Sequence, residues 1–354
     1  MTQVNQRDLR KLPKAHLHLH FTGSMRPETL RELAEEQGRR LPESLRQATT
    51  TPDSLRLPAT KRGWFRFQQL YDAARAVVRD EAAMRRIVRE AAEDDAAEGS
   101  GRLEIQIDPT SYAKFVGGIT PALEIVLDEA RAASAATGVD IGVIVAASRM
   151  RHPLEARTLA RLAARYAGEV VGFGLSNDER NGDTEAFSPA FSIAARAGLA
   201  LVPHGGELLG PDHITEVVQH LRPDRLGHGV RSYEDRALLD SLAESEIAFE
   251  LCPGSNVSLG VFETTADVPI PHLLESGVPI ALGADDPLLF GTRLVDQYET
   301  ARHVHGLDDA ALASLAASSI RASTASEATT TRLLSGVREW LESEPGSAPA
   351  QAGN

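Results

Sequence analysis

Short apolar runs rich in Val, Ile and Leu alternate along the chain with longer Ala/Leu/Arg/Glu segments in which apolar residues recur every three to four positions. Runs of the first kind lie at 15–21, 103–108, 141–147, 170–175, 199–204, 225–228, 248–251 and 279–284. Their length and near-continuous hydrophobicity predict strands covered on both faces. Segments of helical period occupy 26–37, 67–98, 120–137, 154–166, 188–197, 213–220, 234–245 and 271–276. Pro27, Pro121 and Pro153 stand near helix starts, and Gly38, Gly138, Gly168, Gly198 and Gly277 follow helix ends. Both placements agree with the preference of Pro for the first turn and of Gly for the position just past the last.

Strands alternating with helices predict a parallel sheet, and a count of eight predicts a closed (β/α)8 barrel of the TIM type, with its site at the C-terminal mouth. The alternative is an open doubly wound sheet, whose first strand would be followed by a Gly-rich phosphate loop. Here that strand runs into His-Leu-His-Phe-Thr-Gly instead. Segment 41–63, rich in Pro and Thr, predicts a loop or lid over one barrel mouth. Residues 1–341 read as one domain, and the tail 342–354 (ESEPGSAPAQAGN) reads as disordered.

Composition narrows the class. Of 354 residues, 42% are hydrophobic and 25% charged, which is ordinary for a globular protein. Cys252 is the single cysteine, so the core needs no disulfide and the chain suits a reducing cytoplasm. Zinc sites built from four cysteines are excluded, as is the deaminase design with His/Cys/Cys ligands. A net charge of −13 argues against nucleic-acid binding. No run approaches the ~18 apolar residues of a membrane span, and Met1–Pro13 lacks the apolar core of a signal peptide. A cytoplasmic enzyme or binding protein with a small-molecule ligand is the expectation.

His18 and His20 stand two apart in a strand and therefore share a face, which in a barrel is the lumen. His16 extends the alternation at a deeper level. Alone such a pair is a weak signal, but other strand ends repeat the theme: His204-Gly-Gly-Glu207, Gly227-His228-Gly229 and Ala284-Asp285-Asp286-Pro287. Histidines and a carboxylate meeting at one barrel mouth form a site for zinc or a similar divalent ion, with a position open for water. The bland readings are a tight turn for Gly-His-Gly and a helix cap for Asp-Asp-Pro. Cys252 reads as packing.

These motifs make the chain recognisable. Leu-Pro-Lys-Ala-His-Leu-His-Leu-His (12–20), His-Gly-Gly-Glu (204–207), Arg-Leu-Gly-His-Gly (225–229), Leu-Cys-Pro-Gly-Ser-Asn (251–256) and Ala-Asp-Asp-Pro-Leu-Leu-Phe (284–290) resemble the adenosine deaminase family of metal-dependent aminohydrolases, in its order. The resemblance implies one Zn²⁺ held by His18, His20, His204 and Asp285. It implies that His228 orients and helps deprotonate the attacking water, that Glu207 protonates the ring nitrogen beside the attacked carbon, and that Asp286 reads the imidazole part of a purine. It also implies a protonated Glu207, and hence an apolar setting for that carboxyl.

Two departures bear on the substrate. Where adenosine-specific members read His-Leu-Asp-Gly, with the Asp thought to bind the ribose 5′-hydroxyl, this chain reads His20-Phe21-Thr22-Gly23. Where the family has Leu-Ala-Gly-Asp-Glu, with the Gly N–H on the purine, it reads Leu175-Ser176-Asn177-Asp178-Glu179. Both changes point to a nucleoside that lacks a free 5′-hydroxyl or is larger there. The 6-aminodeoxyfutalosine deaminases of the futalosine route to menaquinone have such a substrate. Trp64 and Phe65, in the stretch 61–67, could receive its aromatic arm, and Arg149 or Arg151 its carboxylate. The plainer reading makes Trp64 and Phe65 lid packing and the arginines a solvated face.

Adenosine or deoxyadenosine is the alternative substrate. Free adenine fits less well, because adenine-specific relatives usually carry Glu at the position of Thr22. A catalytically silent binding protein would be expected to have lost a ligand or the proton donor, and all of them are present. The two-metal amidohydrolases often bridge their ions with a lysine on the fourth strand, which this chain lacks, so a mononuclear site is expected.

Overall fold

The computed structural model describes residues 6–47 and 55–344. Its strands are β1 (Lys14–His20), β2 (Ser100–Ile107), β3 (Asp140–Ser148), β4 (Val170–Ser176), β5 (Ala200–Gly205), β6 (Arg225–His228), β7 (Ala248–Leu251) and β8 (Ile280–Leu282). They pair parallel and in chain order, each with the next. The ring closes where Asp285 N donates to His18 O and His20 N donates to Asp285 O, both at 3.0 Å. With helices between the strands, this is a (β/α)8 barrel.

The β8–β1 seam is short, and a helix completes it. Helix Asp309–Ala322 places Ser319 Oγ 3.0 Å from Ala15 N and Ser318 Oγ 2.9 Å from Ile280 N. Both strand N–H groups thereby gain an acceptor. Strand faces under the helices are aliphatic and buried. The lumen below the mouth is instead filled by Arg102, Glu104, Arg225 and Glu250, all buried. Arg225 donates to Glu104 Oε2 at 2.5 Å and to Glu250 Oε1 at 2.6 Å, and Arg102 donates to Glu104 Oε1 at 3.1 Å. Charges removed from water this completely persist because each has an opposite partner with hydrogen-bond geometry.

Segment 67–98 is not one helix. It divides into Lys61–Arg75 and Glu81–Ala97, because Asp80 caps the second through Ala83 N at 2.8 Å. The first begins inside the expected 41–63 loop, capped by Thr60 accepting from Gly63 N at 3.2 Å. A further short helix, Glu43–Gln47, also lies in that stretch, while 48–54 are outside the described residues. At the other end, helix Glu327–Glu342 includes the first residue of the expected tail. The Ser343 carbonyl accepts from Arg7 Nη2 at 2.7 Å, and 345–354 lie outside the described residues.

Candidate metal and catalytic site

Because side chains alternate along a strand, His18 and His20 of β1 share the lumen side. His16 does not continue that alternation: it pairs with Leu103, a register shift separates it from Leu19, and it turns toward the helix Glu81–Ala97. Its Nδ1 lies 3.0 Å from Asp95 Oδ1, and its Nε2 accepts from Ala284 N at 3.1 Å, which holds the backbone just before Asp285. His18 Nδ1 lies 2.7 Å from Glu250 Oε2. That bond puts the proton on Nδ1 and leaves the Nε2 lone pair facing the mouth.

The lone pairs converge. His20 Nε2 and His18 Nε2 are 3.2 and 3.6 Å from Asp285 Oδ1. The His18 and His204 rings stand 4.8 Å apart, and His20 and His204 5.2 Å. His18 Nε2, His204 Nε2 and both His228 nitrogens are buried without a protein partner. Ligand atoms of His18, His20 and His204 lie within 4.8 Å of one another, as do those of His18, His228 and Asp285. Orphaned imidazole nitrogens beside a carboxylate are a donor set for a divalent cation of the zinc type, so the residues present fit one.

Local backbone serves this convergence. Asp285 (φ 62°), His228 (φ 70°) and Asn177 (φ 84°) adopt left-handed conformations at strand ends. This conformation is costly for a residue with a side chain, and surrounding structure holds it here where it aims functional groups. Two glycines make room. A Cβ on Gly227 would lie 2.7 Å from His204 Cδ2 and 3.0 Å from His18 Cε1, and one on Gly23 would lie within 1.8 Å of Asp286 Oδ1.

Glu207 Oε1 stands 3.7 Å from His228 Nε2. Glu179 fixes the loop that carries Glu207, accepting from Glu207 N, Leu208 N and Leu209 N at 3.1, 2.8 and 2.8 Å. Burial drives the Glu207 carboxyl well above the usual carboxylate range, with Asp285 and Glu179 adding to it. Burial and then Asp285 do the same to Asp286. Asp285 goes the other way, since the His18 and His20 imidazoles beside its carboxylate outweigh the cost of burial. Burial, with His18 beside it, lowers His228 to about 3, so its ring is neutral. Asp286 begins helix Pro287–Phe290 without a side-chain capping bond, and its Oδ1 has no partner.

His20, Thr22, Trp64, Asn177, His204, Glu207, His228, Asp285 and Asp286 face one cavity of about 560 Å³. Thr22 Oγ1 is 2.5 Å from Tyr112 Oη, so the departure at Thr22 creates a hydroxyl pair. The Asn177 side chain turns back to accept from Asp178 N at 2.8 Å. Phe65 is not among the lining residues and is 61% exposed. Helical neighbours point about 100° apart, so with Trp64 turned to the cavity Phe65 meets solvent. Arg149 is not at the mouth either. It is buried and donates to His204 O at 2.6 Å and to Thr184 Oγ1 at 3.3 Å, bracing the backbone of His204. Arg151 does line the cavity, and Cys252 is buried in packing.

Glu250, Glu179, Gln106 and Tyr112 escape sequence reading. A signal existed for two of them: Gln106 and Glu250, like Glu104, are polar at lumen-side positions of otherwise apolar strands, where period-two alternation marks the face.

The barrel mouth thus brings a donor set that fits a divalent cation to the edge of an open cavity of small-molecule size. The sequence profile of the adenosine deaminase family matches residues 13–340, and the chain belongs to that family. A Streptomyces coelicolor relative described as a putative adenosine/adenine deaminase is 58% identical over 95% of this chain and 98% of its own. An aminodeoxyfutalosine deaminase from the same organism is 33% identical over 88% of this chain and 80% of its own. The crystal structure of adenine deaminase from Arthrobacter aurescens superposes with a TM-score of 0.85 at 31% identity, over 94% of this chain and 99% of that one. The protein is a hydrolase acting on carbon–nitrogen bonds, of the hydrolytic purine-deaminase kind, in a metal-dependent family. Among the described residues no helix is long and apolar enough to cross a membrane.

Proposed function

We propose that the protein removes the 6-amino group of a purine nucleoside by hydrolysis, with one Zn²⁺ held by His18, His20, His204 and Asp285. The observation that carries this reading is that His20, His204 and Asp285 border one cavity with Glu207, His228 and Asp286, while the His18 ligand atom lies within 4.8 Å of those of His20 and His204. When bound, the cation supplies Lewis acidity that makes water a competent nucleophile near neutral pH. The chain's own groups do the rest. Glu207, protonated in its buried setting, gives a proton to the ring nitrogen next to the attacked carbon, making that carbon electrophilic. Neutral His228 and Asp285 orient the attacking water and take its proton. Asp286 hydrogen-bonds the imidazole edge of the purine, and the Asn177 N–H faces its pyrimidine edge. A cytoplasmic location is part of the reading, supported by the single unpaired Cys252.

We infer a substrate extended at its 5′ end. The cavity runs from the histidines to Arg75, Lys114 and Arg151, and its size lies within the ~300–1,000 Å³ of small-molecule sites. Thr22, already bonded to Tyr112, offers no carboxylate to a free 5′-hydroxyl. 6-Aminodeoxyfutalosine, from menaquinone biosynthesis, is one such substrate. A second reading, adenosine or deoxyadenosine, is favoured by the much higher identity to the putative adenosine/adenine deaminase than to the aminodeoxyfutalosine deaminase of the same Streptomyces. The test is kcat/KM of the zinc-loaded protein on 6-aminodeoxyfutalosine, 5′-methylthioadenosine, adenosine and adenine. Preference for either 5′-modified nucleoside supports the extended class, preference for adenosine replaces it with the second reading, and turnover of none overturns the deaminase assignment.

A further inference from the structure

Gln106 is a polar side chain at the cavity whose chemistry is still unused. It is 1% exposed, lines the cavity, and has no protein partner for either Nε2 or Oε1. Glu104, two residues earlier on the same face of β2, is in contrast bonded to Arg102, Arg225 and Thr324. A buried carboxamide is costly without partners, so an unpaired one at a ligand cavity has its partner in the ligand.

Its position specifies which part of the ligand. Gln106 is the register partner of His20 across β1 and β2. From there it reaches past β3 toward β4, where small side chains leave room. A Cβ on Gly174 would sit 3.4 Å from Gln106 Oε1 and 3.5 Å from the Ala146 Cβ. The carboxamide thus occupies the β2–β4 wall of the lumen. The cation donors and His228 come from the ends of β1, β5, β6 and β8. In a ring of eight strands in chain order, the β2–β4 wall faces the β6–β8 wall.

Addition of water to a planar ring carbon places the new oxygen on one face and turns the amino group toward the other. Oxygen delivered from the histidine and aspartate side sends the amine toward the β2–β4 wall. We propose that the Gln106 carboxamide oxygen accepts an N–H from the amino group as it leaves, an inference that rests on the deaminase reading above. In the overall step a C–O bond forms, the C–N bond breaks, one water proton ends on the departing nitrogen as ammonia, and the other ends on the ring nitrogen through Glu207. Gln106 donates and takes up no proton. It stabilises the amine in the orientation from which it departs, and so favours amino leaving groups over those that cannot donate.

The test compares adenosine with 6-chloropurine riboside, whose chloride has no N–H to offer. Gln106→Met, similar in length but without an acceptor oxygen, should lower kcat/KM on adenosine about tenfold and on the chloro compound less than about twofold. Metal content and far-UV circular dichroism should match wild type, and Gln106→Glu, which keeps an acceptor, should recover most of the loss on adenosine. An equal fall on both substrates, or no fall on adenosine, overturns the proposal while leaving the deaminase reading in place. Failure of the wild type to turn over the chloro compound, adenosine, adenine or either 5′-modified nucleoside removes both.

Discussion

His18 Nδ1 and Glu250 Oε2 stand 2.7 Å apart, joining a ligand at the barrel mouth to the ion network that fills the lumen beneath it. Glu250 also takes the Arg225 guanidinium, which bonds Glu104, which bonds Arg102. One carboxylate therefore sets the histidine tautomer and links four buried charges. Neutralising it as Glu250→Gln should weaken zinc binding about 10–100-fold, measured by competition with a chelator. Unchanged affinity would show that His18 is oriented without it.

Metal ligation and proton donation should separate by mutation. His204→Ala should remove bound zinc and activity together. Glu207→Gln should retain zinc, since the amide fills the same space, while kcat falls by about 10²–10⁴. A Glu207→Gln variant with most of its turnover would exclude the proton-donor role.

The lumen network predicts acid sensitivity. Glu104 is held at about 2 against an ordinary 4.5, because Arg225 and Arg102 outweigh the cost of burial. Its folded value lies below its unfolded one, so its contribution is complete above 4.5 and is lost as pH falls from there toward 2. That contribution is ~3 kcal/mol. Urea unfolding at a series of pH values should show the decline, and Glu104→Gln should flatten it while lowering stability at neutral pH.

Adjacent aromatics should behave differently. Trp64→Ala should raise KM for the nucleoside, because the indole borders the cavity and packs tilted against Phe67, the ring centroids 5.0 Å apart. Phe65→Ser, at a solvent-facing position, should leave kcat/KM unaltered and stability within about 0.5 kcal/mol. Equal effects of the two changes on KM would mean that Phe65 turns inward with substrate.

Gly23→Ala should abolish activity, since its new Cβ would meet the Asp286 carboxylate at 1.8 Å and the Asp286 Cα at 2.7 Å, displacing the side chain and the backbone next to Asp285. Wild-type kcat/KM in that variant would show that Asp286 is not needed to read the base.

Much of this protein is local in origin and was therefore legible along the chain. Strand and helix periods, the eightfold alternation and the paired spacing of His18 and His20 follow from side-chain geometry repeated every two or every 3.6 residues. Glu207, His228, Asp285 and Asp286 lay in motifs at strand ends, so the barrel rule alone could collect them at one mouth. Tertiary structure decided the rest. The break before Glu81 depends on the Asp80 cap, and Phe65 faces water because a helix turns it away from Trp64. Arg149 found the His204 carbonyl rather than a substrate carboxylate, and Thr22 found the Tyr112 hydroxyl. Glu250 reached His18 across 232 residues, and Gln106 kept an unpaired carboxamide only because Gly174 and Ala146 leave space beside it. Which partner a buried polar group meets depends on which distant strands the closed ring brings beside it, and no spacing in the chain encodes that distance.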